Sequence, residues 1–425
     1  MKSKFSNHKT APVKDGRDSS GIFTLGLVLA IWGVLFLTGG VLLAGGVLTI
    51  PASAGELAGW ILIFAGIVAL TVGLLIALSK KSEKARLKLD KFRKSNLFPL
   101  VVLLLIIIFF FQLASPNFAY LKVANIRNIL SAMVLYTLLS IAVGLLIIFG
   151  EIDLSPGYTG AVPGVILAAI LAKGALPWYV VIVICLLTGV AFGLLNAVLV
   201  NELKIQSFIA TLATGSFVAG GLTYIVVDSK TVFFDDDAVK FIFTGRIGGV
   251  VPITIIIALL AIVIYGVILA KTKFGRSIYL CGGNRDAARL AGINPKKISY
   301  ILFINSGFLG AVCGVVYTGR IMAGNLIGPA NYTFPAITAA ILGGFSFGGG
   351  TGNMLGCFLG LAIMNGFNNG LIIMSVSPFW QSAASGAILL LALTVDYFSS
   401  KSAMRIRPLK RFNISSMKGS KEDEA

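Results

Sequence analysis

Apolar residues run through this chain in long uninterrupted stretches, with polar residues gathered in short segments between them. The apolar runs fall at about 22–49, 57–79, 97–115, 129–149, 156–173, 178–200, 207–227, 250–270, 299–319, 334–348, 352–374 and 381–398. Most reach the roughly 18–20 residues that carry a helix across the ~30 Å hydrocarbon layer. Strong period-two alternation is absent, which argues against a β-barrel. The pattern predicts an all-α polytopic membrane protein with about twelve transmembrane helices.

Charge orients this pattern. The segments 1–21, 80–94 (KKSEKARLKLDKFRK), 271–298 and 401–411 are basic, and basic loops stay on the cytoplasmic face. An even number of crossings places all four there, with both termini inside. The loop 228–249, which holds Asp235, Asp236 and Asp237, then falls outside. Lys122 and Arg127 also fall outside, against the trend. The chain divides into a cytoplasmic polar tail (1–21), a two-helix hairpin with a basic linker (22–96), a membrane core (97–398) and a cytoplasmic tail (399–425). The apolar run at the N-terminus is too long for a signal-peptide core and reads as a retained helix.

Composition narrows the function classes. Of 425 residues, 57% are hydrophobic and only 12% charged, about half the charge of a soluble chain. The net charge of +18 would suggest nucleic acid in a soluble protein. Here the cations flank membrane spans, and no soluble domain remains to bind nucleic acid. The four cysteines, Cys185, Cys281, Cys313 and Cys357, form no CxxC pattern, and His8 is the single histidine. Neither a metal site nor a disulfide framework is supported. No nucleophile–base constellation is visible, so no catalytic residue is assigned.

Four motifs carry candidate chemistry. The stretch Gly275–Ile293 (GRSIYLCGGNRDAARLAGI) predicts a short capped helix over about 284–292. Asn284 suits the N-cap, Asp286 the first turn, and Gly292 the left-handed position after the last turn. Ala287, Ala288 and Leu290 offer it a small apolar face. So short a helix is marginal alone, so it packs against a partner protein or lies on lipid headgroups. In GEIDLSPG, Gly150 ends one helix and Ser155-Pro156 starts another. Asp153 is then either an acceptor for exposed N–H groups at a helix break, or a residue of a watery cytoplasmic turn. The glycine-rich loop 343–352 lacks the Lys-Ser/Thr of a phosphate cradle and reads as close packing. Asn365, Asn368 and Asn369 lie on one helix face. They suit either a polyol path or hydrogen bonds between helices, as do Asn196, Asn201, Asn305 and Gln381. Tyr158-Thr159 with Pro163 and Tyr332-Thr333 with Pro335 hint at an internal repeat.

Taken together these motifs resemble the permease subunits of bacterial ABC sugar importers of the ribose, xylose and galactose type, a family that also includes an autoinducer importer. GEIDLSPG is similar to its G-x-I-D-L-S-x-G signature, and QSFIATL to a second segment. GRSIYLCGGNRDAARLAGI resembles its coupling-helix segment. AITAAILGGFSFGGGTGNMLG and NGFNNGL resemble its C-terminal block. The likeness spans about 97–398. It implies a core of about ten helices with the vitamin-B12-importer type of fold, in the bacterial cell membrane. It further implies a second permease chain, a cytoplasmic ABC ATPase that holds ATP and Mg, and an extracellular or periplasmic solute-binding protein. This chain would then bind no cofactor. By resemblance, Gly275, Arg276, Gly283, Asn284, Ala287, Ala288, Leu290 and Gly292 meet the ATPase, while Asp153 and Ser155 fix a broken helix near the path. The hairpin before residue 97, Pro156 and the acidic outer loop depart from the family pattern. Competing readings are an ion-coupled secondary transporter with Asp153 or Glu151 as relay, an importer of an autoinducer or nucleoside, and a receptor-like scaffold.

Overall fold

Polar breaks divide the apolar sequence into helices, and each break carries its own stop or start chemistry. The computed structural model describes residues 95, 97–222, 230–325 and 327–405. The first two expected spans, the basic segment 80–94 and the tails 1–21 and 406–425 lie outside the described residues. Thirteen α-helices are described. The first group is α1 (Leu97–Ala114), a 3-10 turn (Pro116–Leu121), α2 (Val123–Phe149), α3 (Pro156–Ala172), α4 (Trp178–Asn201) and α5 (Ser207–Phe217). After a π-helical turn at Val218–Leu222 come β1 (Val232–Phe233), α6 (Asp237–Thr244), β2 (Arg246–Ile247) and β3 (Val251–Pro252). The last group is α7 (Ile255–Lys271), α8 (Lys273–Gly283), α9 (Arg285–Leu290), α10 (Pro295–Ile321), β4 (Ala323–Gly324), a 3-10 turn (Pro329–Tyr332), α11 (Thr333–Leu342), α12 (Met354–Ile373) and α13 (Pro378–Arg405).

Five of these helices (α1, α2, α4, α10 and α12) are long and apolar enough to cross a membrane. The count is six if α7 and α8, bent by 71°, form one span. The chain is a mostly helical multi-pass membrane protein. Among the described residues, the expected spans at 156–173, 207–227 and 334–348 form shorter helices. Gly343 and Gly344, the latter at φ +96°, stop α11 after Leu342, so only nine residues of the run 334–348 are helical. The run at 207–227 leaves α-geometry at Val218, beside Gly220 and Gly221.

The loops sort to two ends. At one end Lys296 bonds Glu202 at 2.8 Å and Arg285 bonds Glu151 at 2.7 Å. There too the Gly350 N–H donates to the Ile148 carbonyl at 2.7 Å, and the Tyr279 hydroxyl to the Gly352 carbonyl at 2.9 Å. At the other end β1 pairs antiparallel with β4, Val232 opposite Gly324. The loops after α2, α4, α9 and α11 therefore share one end, and the segments 232–234 and 322–324 share the other. This is the alternation that the crossing order requires of them. The exposed Glu202 carboxyl is held below its usual range by the Lys296 ammonium and the Tyr300 hydroxyl.

α2 is the central helix, its apolar residues buried on nearly all sides. α10 packs against α3 and α4 through glycines. Gly314 of α10 sits on the Gly160 carbonyl, Gly310 on the Pro156 carbonyl, and Gly307 on the Gly189 carbonyl. Backbones this close leave no room for a Cβ, the same device that small residues provide in membrane helix pairs generally. Gly314→Leu is expected to cost about 3 kcal/mol or more by forcing α3 from α10. Gly386→Ala in α13, where nothing lies within 4 Å of the new methyl, is expected to be neutral or slightly stabilising. Thermal unfolding in detergent checks both.

The two look-alike segments form α3 and α11, and their beginnings touch. Gly157 abuts Pro329, Ala330 and the Thr333 hydroxyl. Both helices thus start next to each other inside the protein, an arrangement that only a covered, hydrogen-bonded backbone permits at that depth.

Candidate coupling and translocation site

The polar stretch after α7 begins with a sharp bend. Gly275 packs its Cα on the backbone of Ile268 and Leu269, and the Thr272 hydroxyl caps α8 by accepting from the Gly275 N–H at 3.0 Å. Asn284 then leaves helical geometry, and its Oδ1 accepts from the N–H groups of Asp286 (3.0 Å) and Ala287 (2.9 Å). That is the N-cap bond expected of asparagine. At the far end Gly292 stands at φ +78°. Ile293 N–H bonds the Ala288 carbonyl and Gly292 N–H the Arg289 carbonyl, both at 3.0 Å, which completes a Schellman cap. The expected helix therefore forms, as α9.

Its faces differ from the simple apolar patch. Ala288 is 1% exposed and points into the protein, whereas Leu290 is 92% exposed. Ala287, Arg276, Gly283 and Gly292 are also exposed, and Gly275 is buried in the bend. Leu290 and Ala287, three residues apart, form the outward face; Ala288 holds the helix down. Arg285, which the sequence reading did not single out, bonds Glu151 and lies over the Phe149 ring at 4.9 Å. Glu151 is accordingly buried rather than bathed in water.

From Glu151 to Ser155 the chain is not helical, and side chains satisfy the N–H groups of Ile152, Leu154 and Ser155. Ile152 N–H donates to the Ser207 hydroxyl (3.2 Å) and Leu154 N–H to the Thr211 hydroxyl (3.1 Å). The QSFIATL segment earns its polar residues here. Asp153, 1% exposed, accepts from the Ser155 N–H (2.8 Å), the Ser155 hydroxyl (2.7 Å) and the Ser306 hydroxyl (2.7 Å) of α10. Ser306 lies eleven residues into α10, or about 16 Å along its axis from the end where Lys296 meets Glu202. The break thus reaches deep into the protein. Ser155 occupies the position before α3 as expected, but its side chain makes no cap bond. Its hydroxyl instead joins Asp153 to Asn196, whose Nδ2 donates to it at 2.8 Å. Asp153 accepts from the Ser155 N–H itself, not from the first-turn N–H groups that a serine cap would take.

The asparagine stripe lies elsewhere, toward the opposite end. A cavity of ≈ 470 Å³ is walled there by Asn365, Asn368 and Asn369 of α12, Asn125, Asn128 and Tyr136 of α2, and Arg320 and Tyr332. Asn365 Nδ2 donates to the Ile129 carbonyl (2.7 Å), Asn368 Nδ2 to the Tyr136 hydroxyl (3.0 Å), and Asn125 Nδ2 to Asn369 Oδ1 (2.7 Å). The amides tie α12 to α2, as the reading of hydrogen bonds between helices expects, and they also line the cavity. Arg320 donates to the Ser131 carbonyl at 2.8 Å, and Tyr136 and Tyr332 pack edge to face at 5.1 Å. Asp153 and Ser155 do not line this cavity. The glycine loop is a joint: Phe345 fills the space over Gly144, and Gly349 and Gly350 lie against Gly282 and Gly283.

A family model described as branched-chain amino acid transport system / permease component matches residues 125–393. The ribose import permease protein of Haemophilus influenzae is 33% identical over 325 residues, covering 75% of this chain and 98% of that protein. The D-allose transport system permease protein of Escherichia coli is 32% identical over 288 residues, 68% of this chain and 87% of that one. The L-arabinose transport system permease protein of the same organism is 33% identical over 261 residues, 59% and 76% respectively. No solved structure is a significant match.

Proposed function

Since the chain belongs to the family of branched-chain amino acid transport system permease components, we propose that it is the membrane-spanning permease subunit of an ATP-driven ABC importer. Its cargo is a small hydrophilic solute, a monosaccharide such as a pentose or hexose, in line with the sugars named for its relatives. It is a transport subunit and not an enzyme. ATP and Mg belong to a separate cytoplasmic ATPase, and this chain needs no cofactor.

The observation that carries the reading is α9: a helix capped at both ends, held down by Ala288, with Leu290 projecting outward. We assign it as the docking point for the ATPase. Its end of the molecule is then cytoplasmic, with both chain termini, and the cavity opens toward the side where a solute-binding protein delivers cargo. A second permease chain completes the path. The full count of about twelve spans, ten in a core of the vitamin-B12-importer type, belongs to the same proposal. Amides that both donate and accept, beside two tyrosines, suit the hydroxyls of a sugar. Asn368→Leu is expected to lower uptake about tenfold, the loss of roughly one hydrogen bond to cargo, with ATPase copurification intact.

The test is uptake of labelled ribose, allose and arabinose into proteoliposomes holding the chain with its ATPase and binding protein. Import of at least one, dependent on ATP and indifferent to a protonophore, is expected. Uptake that a protonophore abolishes and ATP depletion spares would establish the ion-coupled reading instead.

A further inference from the structure

α9 is fastened to the helix break by one ion pair whose carboxylate is buried. Arg285, the first residue of α9, reaches Glu151, the first residue of the break, across 134 positions of sequence. The distance is 2.7 Å, with the Glu151 side chain 8% exposed and that of Arg285 43%. The carboxylate is the buried partner, so this is not one of the screened surface pairs that contribute little. The guanidinium also covers the Phe149 ring at 4.9 Å, at the end of α2. Beside it the Gly350 N–H bonds the Ile148 carbonyl, and Gly282 rests on that same carbonyl. Those contacts hold the glycine loop and α8 to α2; the ion pair joins α9 itself to the break.

From Glu151 a rigid line continues inward. Ile152 and Leu154 are bonded to α5, Asp153 to α10, and Ser155 to α4. The first turn of α3 then abuts Pro329, Ala330 and Thr333, and neighbouring Tyr332 lines the cavity. Each step is a hydrogen bond or a backbone contact with little slack.

We infer that the Glu151–Arg285 pair is a mechanical latch: it seats the coupling helix on the break and carries the displacement of α9 to α3 and the outer cavity. The inference rests on the ATPase-driven reading above. Both residues act through others and are positioning residues. A brace and a latch differ in what neutral replacements do. Removing Arg285 alone strands a buried carboxylate and destabilises the fold, whereas replacing both partners by neutral side chains is close to neutral for stability. A latch still fails when both are neutral, because the connection is gone.

The experiment compares wild type with Arg285→Gln, Glu151→Met and the double variant, each assembled with ATPase and binding protein in proteoliposomes. Two quantities are read: sugar imported per ATP hydrolysed, and the midpoint of thermal unfolding. The latch predicts about a tenfold fall in import per ATP in all three variants, within the usual size of inter-site coupling. It predicts a lowered midpoint in Arg285→Gln alone. Import per ATP that recovers in the double variant together with stability would make the pair a brace and overturn the latch, as would unchanged import per ATP throughout. If Arg285→Gln does not assemble, the other two variants decide. A wild-type complex with no ATP-dependent import overturns the importer reading itself, and the latch with it.

Discussion

Leu290→Asp is expected to strip the ATPase from the purified complex and to reduce ATP-driven import to background, while the chain itself folds as before. Leu290 is 92% exposed at the outward end of α9 and touches little of its own protein. Substitutions at such positions usually change stability by less than about 0.5 kcal/mol. If the leucine is covered by a partner, its burial contributes about 2 kcal/mol to docking. A carboxylate in its place adds the cost of an unpaired charge in the interface, several kcal/mol more. Their sum of about 4 kcal/mol or more weakens binding roughly a thousandfold. Copurification with the ATPase, scored beside the unfolding midpoint of the chain alone, measures both halves of the claim.

Ala288→Asp, two positions away, makes the necessary contrast. Ala288 is 1% exposed, and Ile293 N–H bonds its carbonyl to close the helix. A carboxylate there unseats α9 from its own protein. The expected result is a lowered midpoint as well as lost ATPase, so Leu290 is the position that isolates docking. A complex that keeps its ATPase with Leu290→Asp would remove α9 from the docking surface.

The sequence announces α9 almost in full, because caps are local: Asn284, Asp286 and Gly292 act on backbone groups within three residues of themselves. Which face looks inward is not local. Ala287, Ala288 and Leu290 are all apolar, and only the packing of α9 on the protein separates the buried alanine from the exposed leucine. The Glu151–Arg285 pair was hidden for the same reason. Arg285 reads as one more cation in a basic cytoplasmic loop, and its partner lies 134 residues away. Ser155 shows a local rule overridden. Serine before proline signals an N-cap, yet its hydroxyl is held between the buried Asp153 two residues earlier and Asn196 rather than turned to the first turn of α3. The polar residues of QSFIATL look out of place in an apolar helix until the unpaired N–H groups of the break are set opposite them. The asparagine stripe was readable as a polar face, but its two uses depend on α2 standing across from it.

Asp153→Ala is expected to prevent stable accumulation of the chain, and Asp153→Asn to permit both folding and import. The Asp153 carboxylate receives three donors: the backbone N–H and hydroxyl of Ser155 and the hydroxyl of Ser306. Alanine strands them in a buried site. Each unsatisfied buried donor costs about 1–3 kcal/mol, and hydroxyls that rotate to other acceptors recover part of it. A net loss of about 3–5 kcal/mol follows, a large share of the stability of a typical domain. Asparagine keeps an oxygen for Ser155, and its amide can donate to the Ser306 hydroxyl, which accepts as readily as it donates. Its cost should be about 1 kcal/mol or less. The pair of variants also separates transport mechanisms. Asparagine neither holds nor releases a proton, so an ion-coupled transporter that used Asp153 as its relay would lose uptake in Asp153→Asn with its melting unchanged. An ATP-driven importer needs only the hydrogen bonds that hold the break, and it keeps import in Asp153→Asn across the pH range in which the complex is stable. Membrane abundance, unfolding midpoint and import at two pH values, measured on the two variants side by side, decide between a carboxylate that moves charge and one that holds a helix break in place.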